Sequence, residues 1–151
     1  LDIYGIKEDE DYWKQCQNLI NVLTSNISVT FRGSIPHDEV HKTLSQYDAF
    51  LFPTLSENFG HVIVEALAVG CPVIISDQVP WSDVEEHGAG WAISLTDPTK
   101  FEIAIQHVVE LDNNEQIKMR ANSTLYFKQK LKLNELRQSY QKVLVYIGSD
   151  W

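Results

Sequence analysis

One stretch of the sequence decides the fold: AFLFPTLSENFGHVIVEALAVGCPVIISD (Ala49–Asp77). Its first part, Ala49–Phe52, is apolar without alternation, which is typical of a parallel strand covered on both faces. After the loop Pro53–Asn58 the pattern predicts a helix to about Val69, closed by a glycine and then a proline, an order that ends helices. Val73–Ser76 is a second unbroken apolar strand. The stretch therefore predicts a strand–helix–strand unit.

The same alternation of short β-branched runs and amphipathic segments continues on both sides of this unit. Five strands are predicted, at Leu1–Tyr4, Ile27–Phe31, Ala49–Phe52, Val73–Ser76 and Trp91–Leu95. Further helices are predicted around Tyr12–Leu23, from Pro36 to Tyr47, at Asp83–His87, from Pro98 and through the remainder of the chain. This order predicts an α/β fold: one domain, residues 1–151, with a Rossmann-like doubly wound parallel sheet of five strands and helices on both faces. In such folds ligands bind beyond the carboxyl ends of the strands.

The charge and the cysteine content exclude several classes of protein. Twelve Lys and Arg residues against 21 Asp and Glu residues give a net charge of −9. We therefore expect no nucleic-acid partner, because that class depends on a basic surface. No run approaches the roughly 20 apolar residues of a membrane-spanning helix, and the first residues lack the pattern of a signal peptide. Cys16 and Cys71 have no metal-ligand or redox spacing, which predicts free thiols in a reducing, cytoplasmic setting.

Two glutamates flank the predicted start of the helix after the third strand. Glu57 precedes this helix and Glu65 lies about one and a half turns inside it, so both carboxylates can face the same side. Between them, the unpaired amides of Asn58–Val62 and the helix dipole suit a phosphate, and Gly60 permits a close approach of the backbone to a ligand. A carboxylate beside such amides suits vicinal hydroxyls, so the pattern favours a sugar diphosphate with a ribose. The alternative is that neither glutamate binds a ligand: Glu57 only caps the helix and Glu65 is a surface residue.

Three blocks of the sequence resemble, in order and spacing, the retaining glycosyltransferases of family four, the group 1 family with the GT-B fold. The block LFPTLSENFGHVIVEALAVGCPVIISD carries the E-x7-E motif of that family at Glu57 and Glu65. VPWSDVEEHGAGWAISLTD (Val79–Asp97) is similar to the block that follows in many members, and LDIYG, VTFRGSIPHDEV and YDAFLFP are similar to the earlier ones. The resemblance is clear from Leu1 to Val109 and identifies the chain as the carboxy-terminal, nucleotide-sugar-binding domain.

The resemblance implies a role for each site residue. Glu65 would bind the ribose hydroxyls of the donor, and Glu57, the catalytic candidate, would lie beside the donor sugar. The backbone amides of five residues would hold the sugar hydroxyls and the diphosphate: Asn58, Phe59, Gly60, His61 and Val62. The backbone of three others would frame the base: Gly33, Ser34 and Ile35. The resemblance further implies a UDP- or GDP-sugar donor, retention of configuration and no metal, so that protein donors alone stabilise the leaving diphosphate.

Two parts of the family pattern have no match in this sequence. One is the first strand of the nucleotide-binding half, with the Arg and Lys of its Gly-Arg and Lys-Gly sequences, since Leu1 corresponds to the second strand. The other is the amino-terminal half, which binds the acceptor. We therefore expect a domain of a larger cytoplasmic enzyme of polysaccharide or glycolipid synthesis, inactive alone and partnered by that half. Peripheral attachment of the full enzyme to the inner face of the membrane stays open. Without the central strand, either the sheet closes in a flavodoxin-like order or an exposed edge leads to self-association.

Other functions and sites are weaker interpretations of the sequence. A flavodoxin-like binding module without transferase activity is the main alternative, and a glycoside hydrolase fits poorly because its two carboxylates flank a bond from separate elements. His37 and His41 lie four residues apart but lack a third ligand, so an exposed helix face is favoured over a metal site. Trp81 could stack on a sugar, although packing of a loop against the sheet is favoured.

Overall fold

The computed structural model of this protein describes residues 1–132, in which short strands alternate with helices. The chain divides into two compact units, Leu1–Val40 and the part from His41 onward. The first unit holds β1 (Asp2–Tyr4), α1 (Glu10–Asn21), β2 (Thr30–Gly33) and a 3-10 turn (His37–Glu39), and α2 (Val40–Leu44) begins at its boundary. The described part of the second unit holds β3 (Phe50–Phe52), α3 (His61–Ala68), β4 (Val73–Ser76), β5 (Gly90–Ile93), α4 (Pro98–Glu110) and α5 (Asn113–Lys130).

The first unit is a parallel pair of strands, β1 and β2, joined by α1. Asp9 is the N-cap of α1, and its carboxylate accepts hydrogen bonds from two amides of the first turn, both 2.9 Å long. The rings of Trp13 and Phe31 lie 5.0 Å apart. The ammonium of Lys7 lies 4.6 and 4.5 Å from the centroids of these two rings. A capped helix and an aromatic pair therefore hold this small unit together.

The second unit is built on the parallel sheet β3–β4–β5. All four residues of the central strand, Val73–Ser76, are buried, as the unbroken apolar run predicts for a strand covered on both faces. Ile74 packs with Ile93 and with Ala104 of α4 on one side of the sheet. The helix α3 contacts β3, β4 and α5 and buries Ile63, Ala66 and Leu67. The site loops are thus supported by the most completely buried part of the described chain.

The α/β class with parallel strands is confirmed, and all five predicted strands are present. They are divided between a two-stranded sheet, β1–β2, and a three-stranded sheet, β3–β4–β5, where the sequence predicts one sheet of five. The hydrophobic pattern of a strand shows that it is buried but does not choose its hydrogen-bonding neighbours. The number of strands could therefore be predicted, and their division into sheets could not.

Several local predictions differ from the structure. The third helix begins at His61 rather than directly after Asn58, because Gly60 has a left-handed backbone with φ of 75°. Gly33, two residues beyond the predicted strand Ile27–Phe31, is the last residue of β2. The helix predicted at Asp83–His87 is a series of turns with hydrogen bonds such as that from the amide of Gly88 to the carbonyl of Glu85, 3.0 Å. The predicted helical remainder is confirmed to Lys130, and its part beyond residue 132 lies outside the described residues.

Candidate functional site

The predicted site residues after the third strand lie in one junction between β3 and α3. The β3–α3 loop (residues 53–60) contains Glu57, which is half-buried, and the exposed Asn58 and Phe59. Glu65 is half-buried in the second turn of α3. Because β3 and β4 are parallel neighbours, this loop lies at the edge of the sheet where both strands end. Glu57 thus lies in a loop at the strand end that ligands occupy in such folds, and Glu65 lies in the helix that follows this loop.

Gly60 sets the direction in which the helix leaves this loop. It is the N-cap of α3, with φ 75° and ψ 58°, and a Cβ at this position would lie 2.9 Å from Cδ1 of Ile63. The carbonyl of Gly60 accepts the first helical bonds, from Ile63 at 3.0 Å and Val64 at 3.1 Å. The amides of His61 and Val62 make no hydrogen bond within the described chain. The positive end of the α3 dipole thus presents free donors beside the loop.

Two side chains, one at the end of β4 and one after it, bind the β3–α3 loop near its ends. The hydroxyl of Ser76, which is fully buried, donates a 2.6 Å hydrogen bond to the carbonyl of Thr54. The indole Nε1 of Trp81 donates a 2.6 Å hydrogen bond to the carbonyl of Phe59. Trp81 is 2% exposed, so it does not present a ring face for stacking on a sugar, and the alternative of packing is confirmed.

Tyr126, Asp83 and Lys130 form a polar cluster next to Trp81. The ring of Trp81 meets the ring of Tyr126 edge to face, with centroids 5.9 Å apart. The hydroxyl of Tyr126 donates a 2.6 Å hydrogen bond to the carboxylate of Asp83, which also accepts from Nζ of Lys130 at 2.7 and 2.8 Å. Burial, the hydrogen bond to Asp83 and the negative charge of Asp83 raise the pKa of Tyr126. Partial burial favours a higher pKa for Asp83, but the hydrogen bonds from Lys130 and Tyr126 outweigh it and lower that pKa.

The residues expected to frame the base belong to the first unit. Gly33 ends β2 with φ of 75°, and its carbonyl accepts a 3.1 Å hydrogen bond from the amide of Gly5. Ser34 is exposed and Ile35 is half-buried in the segment that follows. A Cβ on Gly33 would meet nothing within 4 Å, so the backbone here is open to its surroundings.

The remaining candidates identified in the sequence have ordinary surroundings. His37 and His41 are exposed, and residues 1–132 contain no cluster of three His, Cys, Asp or Glu side chains that could hold a metal ion. Both cysteines are free thiols, as predicted. No helix within residues 1–132 is both long and apolar enough to cross a bilayer.

Sequence reasoning missed the side chains that hold the loop. The sequence predicts no bond from Ser76 or Trp81 to the β3–α3 loop, and it assigns no role to the side chains of Asp83 and Tyr126. Their partners lie 22 and 43 residues away, and a single sequence contains no signal for such pairs. Only the position of Ser76 at the end of a buried strand indicated a polar group that needs a partner.

Comparison with known proteins shows the family. The sequence pattern of the family described as "Glycosyl transferases group 1" matches residues 1–125. The O-antigen chain mannosyltransferase RfbU of Salmonella typhimurium is 29% identical over 101 residues, which are 67% of this chain and 28% of RfbU. The GDP-Man:Man(3)GlcNAc(2)-PP-Dol alpha-1,2-mannosyltransferase of Xenopus laevis is 28% identical over 130 residues, 82% of this chain and 26% of that enzyme. The chain thus spans about a quarter of the length of these relatives.

Solved structures share the fold. The crystal structure of Anabaena HepE in complex with UDP-glucose matches with a TM-score of 0.73 at 21% sequence identity, covering 96% of this chain and 40% of HepE. The crystal structure of the same protein with UDP and glucose gives a TM-score of 0.74. At this level of identity the similarity concerns the arrangement of helices and parallel strands.

Proposed function

Since the chain belongs to the group 1 glycosyl transferases, we propose that it is the nucleotide-sugar-binding domain of a retaining glycosyltransferase. The donor site is the β3–α3 loop with the first turns of α3. One observation carries the proposal: the E-x7-E pair, Glu57 and Glu65, flanks a helix start whose amides at His61 and Val62 are free donors at the carboxyl edge of a parallel sheet.

Each part of this site suits one part of a nucleotide sugar. The carboxylate of Glu65 has two acceptor oxygens and suits the paired hydroxyls of the ribose. The free amides and the dipole of α3 suit the negative diphosphate. Glu57 lies at the loop side of the helix start, where the donor sugar would follow the diphosphate. The backbone of Gly33, Ser34 and Ile35 is proposed to contact the base.

The reaction follows from this arrangement of charges. The bond between the anomeric carbon and the diphosphate oxygen breaks, and the oxygen of an acceptor hydroxyl forms a new bond on the same face of the sugar. The proton of that hydroxyl passes to the departing diphosphate oxygen. Negative charge develops on the leaving diphosphate, where the amides of Asn58–Val62 stabilise it without rearrangement. The proposal assigns no metal to this step.

The donor, the product and the partners are part of the same proposal. HepE is named as binding UDP-glucose and the Xenopus relative as using GDP-mannose, so UDP- and GDP-sugars are the donors to test. The Salmonella and Xenopus names point to polysaccharide or lipid-linked glycans as products. Because the chain covers 40% of HepE, we propose that residues 1–151 form one domain of a larger cytoplasmic enzyme with a separate acceptor-binding half. Self-association through a free sheet edge and peripheral attachment to the inner membrane face are proposed with it.

Calorimetric titration of the chain with UDP, GDP and ADP tests the site. We expect one nucleotide to bind, and Glu65→Ala to raise its dissociation constant at least about tenfold, since a carboxylate that accepts two hydroxyl bonds is lost. Glu102→Ala on α4 is the matched control, because Glu102 is an exposed helical glutamate of the same unit. Equal affinities of wild type and Glu65→Ala would overturn the site assignment. Absence of binding by all three nucleotides would favour a binding module of another kind.

A further inference from the structure

From the contacts around the β3–α3 loop, we infer that Trp81 is a positioning residue for the diphosphate part of the donor site, acting through its hydrogen bond to the carbonyl of Phe59. The inference rests on the proposed function. It adds a role for a side chain that touches no part of the donor itself. Trp81 reaches the loop one residue before Gly60, where the chain turns into α3.

The hydrogen bond is placed where it controls the direction of the free amides. Phe59 is 42% exposed, and the centroid of its ring lies 4.9 Å from that of His61 and 6.0 Å from that of Trp81. The carbonyl of the peptide between Phe59 and Gly60 accepts the bond from Trp81, so this bond restrains rotation of that peptide. Without the indole N–H, rotation of this peptide would turn the left-handed Gly60 and with it the amides of the first helical turn.

Trp81 is itself held on its far side. Its ring is buried and meets the buried ring of Tyr126, whose hydroxyl is bonded to Asp83. Nε1 of Trp81 also lies 3.5 Å from the position that a Cβ of Gly60 would occupy, which places the indole directly against the turn. Because packing holds the ring of Trp81 in place, its hydrogen bond can fix the position of the loop.

Ser76 holds the other end of the same loop. Its bond to the carbonyl of Thr54 fixes the first residues after β3, while Trp81 fixes the last residues before α3. Glu57 lies between these two bonds. The loop is therefore constrained at both ends by side chains from residues 76–81, and the two bonds can be removed separately.

The test compares how variants bind a nucleoside diphosphate and the matching monophosphate, UDP with UMP or GDP with GMP. Trp81→Phe keeps an aromatic ring and removes the N–H. We expect it to weaken the diphosphate about five- to tenfold and the monophosphate less than twofold, because the misplaced amides serve the diphosphate. Trp91→Phe is the matched control, since Trp91 is a half-buried tryptophan of β5 that makes no hydrogen bond through its ring within residues 1–132. It should leave both affinities unchanged.

The ratio of the two affinities separates positioning from general damage. In a partly unfolded Trp81→Phe protein the affinities for both nucleotides would fall by the same factor, and this result would overturn the inference. Unchanged affinity for both nucleotides would also overturn it. If Trp81→Phe does not fold, benzothienylalanine at position 81 provides the test, because it keeps the shape of tryptophan and lacks the N–H, and we expect the same selective loss of diphosphate affinity. If wild type binds neither nucleotide, the proposed function fails first, and that result is distinguishable from equal binding by wild type and variant.

Discussion

The phenol of Tyr126 donates a 2.6 Å hydrogen bond to the carboxylate of Asp83, 43 residues earlier in the chain. The bond ties the last turns of α5 to the turns that follow β4. Lys130, one helical turn after Tyr126, adds its ammonium to the same carboxylate at 2.7 Å. One aspartate thus collects two donors from one face of α5.

Tyr126→Phe should lower the free energy of unfolding by about 1–2 kcal/mol. The ring and its packing against Trp81 remain, so the loss is that of a hydrogen bond to a charged acceptor. Urea unfolding followed by fluorescence measures it. Tyr12→Phe on α1, a tyrosine that is 65% exposed, should change stability by less than about 0.5 kcal/mol. Equal effects of the two substitutions would contradict the importance of the bond to Asp83.

The lowered pKa of Asp83 predicts loss of stability in acid. The folded protein favours the ionised carboxylate, so its contribution is present above the ordinary pKa of 3.8 and is lost as the pH falls through the lower pKa of the folded state. Asp83→Asn should therefore be less stable than wild type at pH 7, and the two should converge as the pH falls below 3.8. Thermal unfolding between pH 7 and pH 2.5 measures this. A constant difference across that range would argue against the linkage.

Gly60→Ala should destabilise the protein more than Gly33→Ala, although both glycines have φ of 75°. A left-handed alanine costs roughly 1–2 kcal/mol at either position. At Gly60 the new methyl would also approach Cδ1 of Ile63 at 2.9 Å, whereas Gly33 has open space. We expect the steric contact to add about 1 kcal/mol, because the end of the isoleucine can move only partly. Urea unfolding of the two variants gives the difference, and a larger loss at Gly33 would refute the explanation.

Thiol titration should distinguish the two cysteines. Burial is the main reason that the pKa of Cys71 rises to about 12; Arg120 lowers it and Asp48 raises it further. At pH 8 the Cys71 thiol is then almost entirely protonated, and thiolate is the reactive form. An aromatic disulfide reagent should react quickly with the half-buried Cys16 and with Cys71 only after urea is added. Cys16→Ser should abolish the fast phase, and two fast thiols in wild type would contradict the burial of Cys71.

The same shift predicts a fall in stability at alkaline pH. Above the ordinary pKa of 9.0 the unfolded chain releases the proton of Cys71, whereas the folded protein retains it until about pH 12. Stability should therefore decline as the pH rises from 9 towards 12. Cys71→Ala should reduce that decline, as measured by urea unfolding at pH 8, 9 and 10.

Much of the fold could be predicted because it depends on local patterns. Val73–Ser76 is a run of buried residues, and a short unbroken apolar run in an α/β protein is usually a buried strand. The glycine and proline that follow α3 end it as expected, and Gly70 has φ of 74°. The start of α3 was harder, because Gly60 can join a helix or precede one, and only its left-handed conformation in the fold decides.

The sequence predicts residues for the candidate site, but it does not predict the groups that bind the loop carrying them. Glu57 and Glu65 are eight residues apart and belong to a recognisable motif. The bond between Trp81 and Phe59 depends on how the chain returns after β4, which is a property of packing between distant segments. Trp81 was correctly expected to pack, since large aromatic residues are more often buried than exposed, yet its donor atom had no foreseeable partner.

The hydrogen bonds from Ser76 and Trp81 go to peptide carbonyls of the β3–α3 loop, not to its side chains. The conformation of the loop is therefore largely independent of which residues occupy its exposed middle, where Leu55 is 83% exposed. A library randomised at Leu55 and Ser56 should keep the scaffold intact, so that new preferences among sugars could be selected without redesigning the backbone.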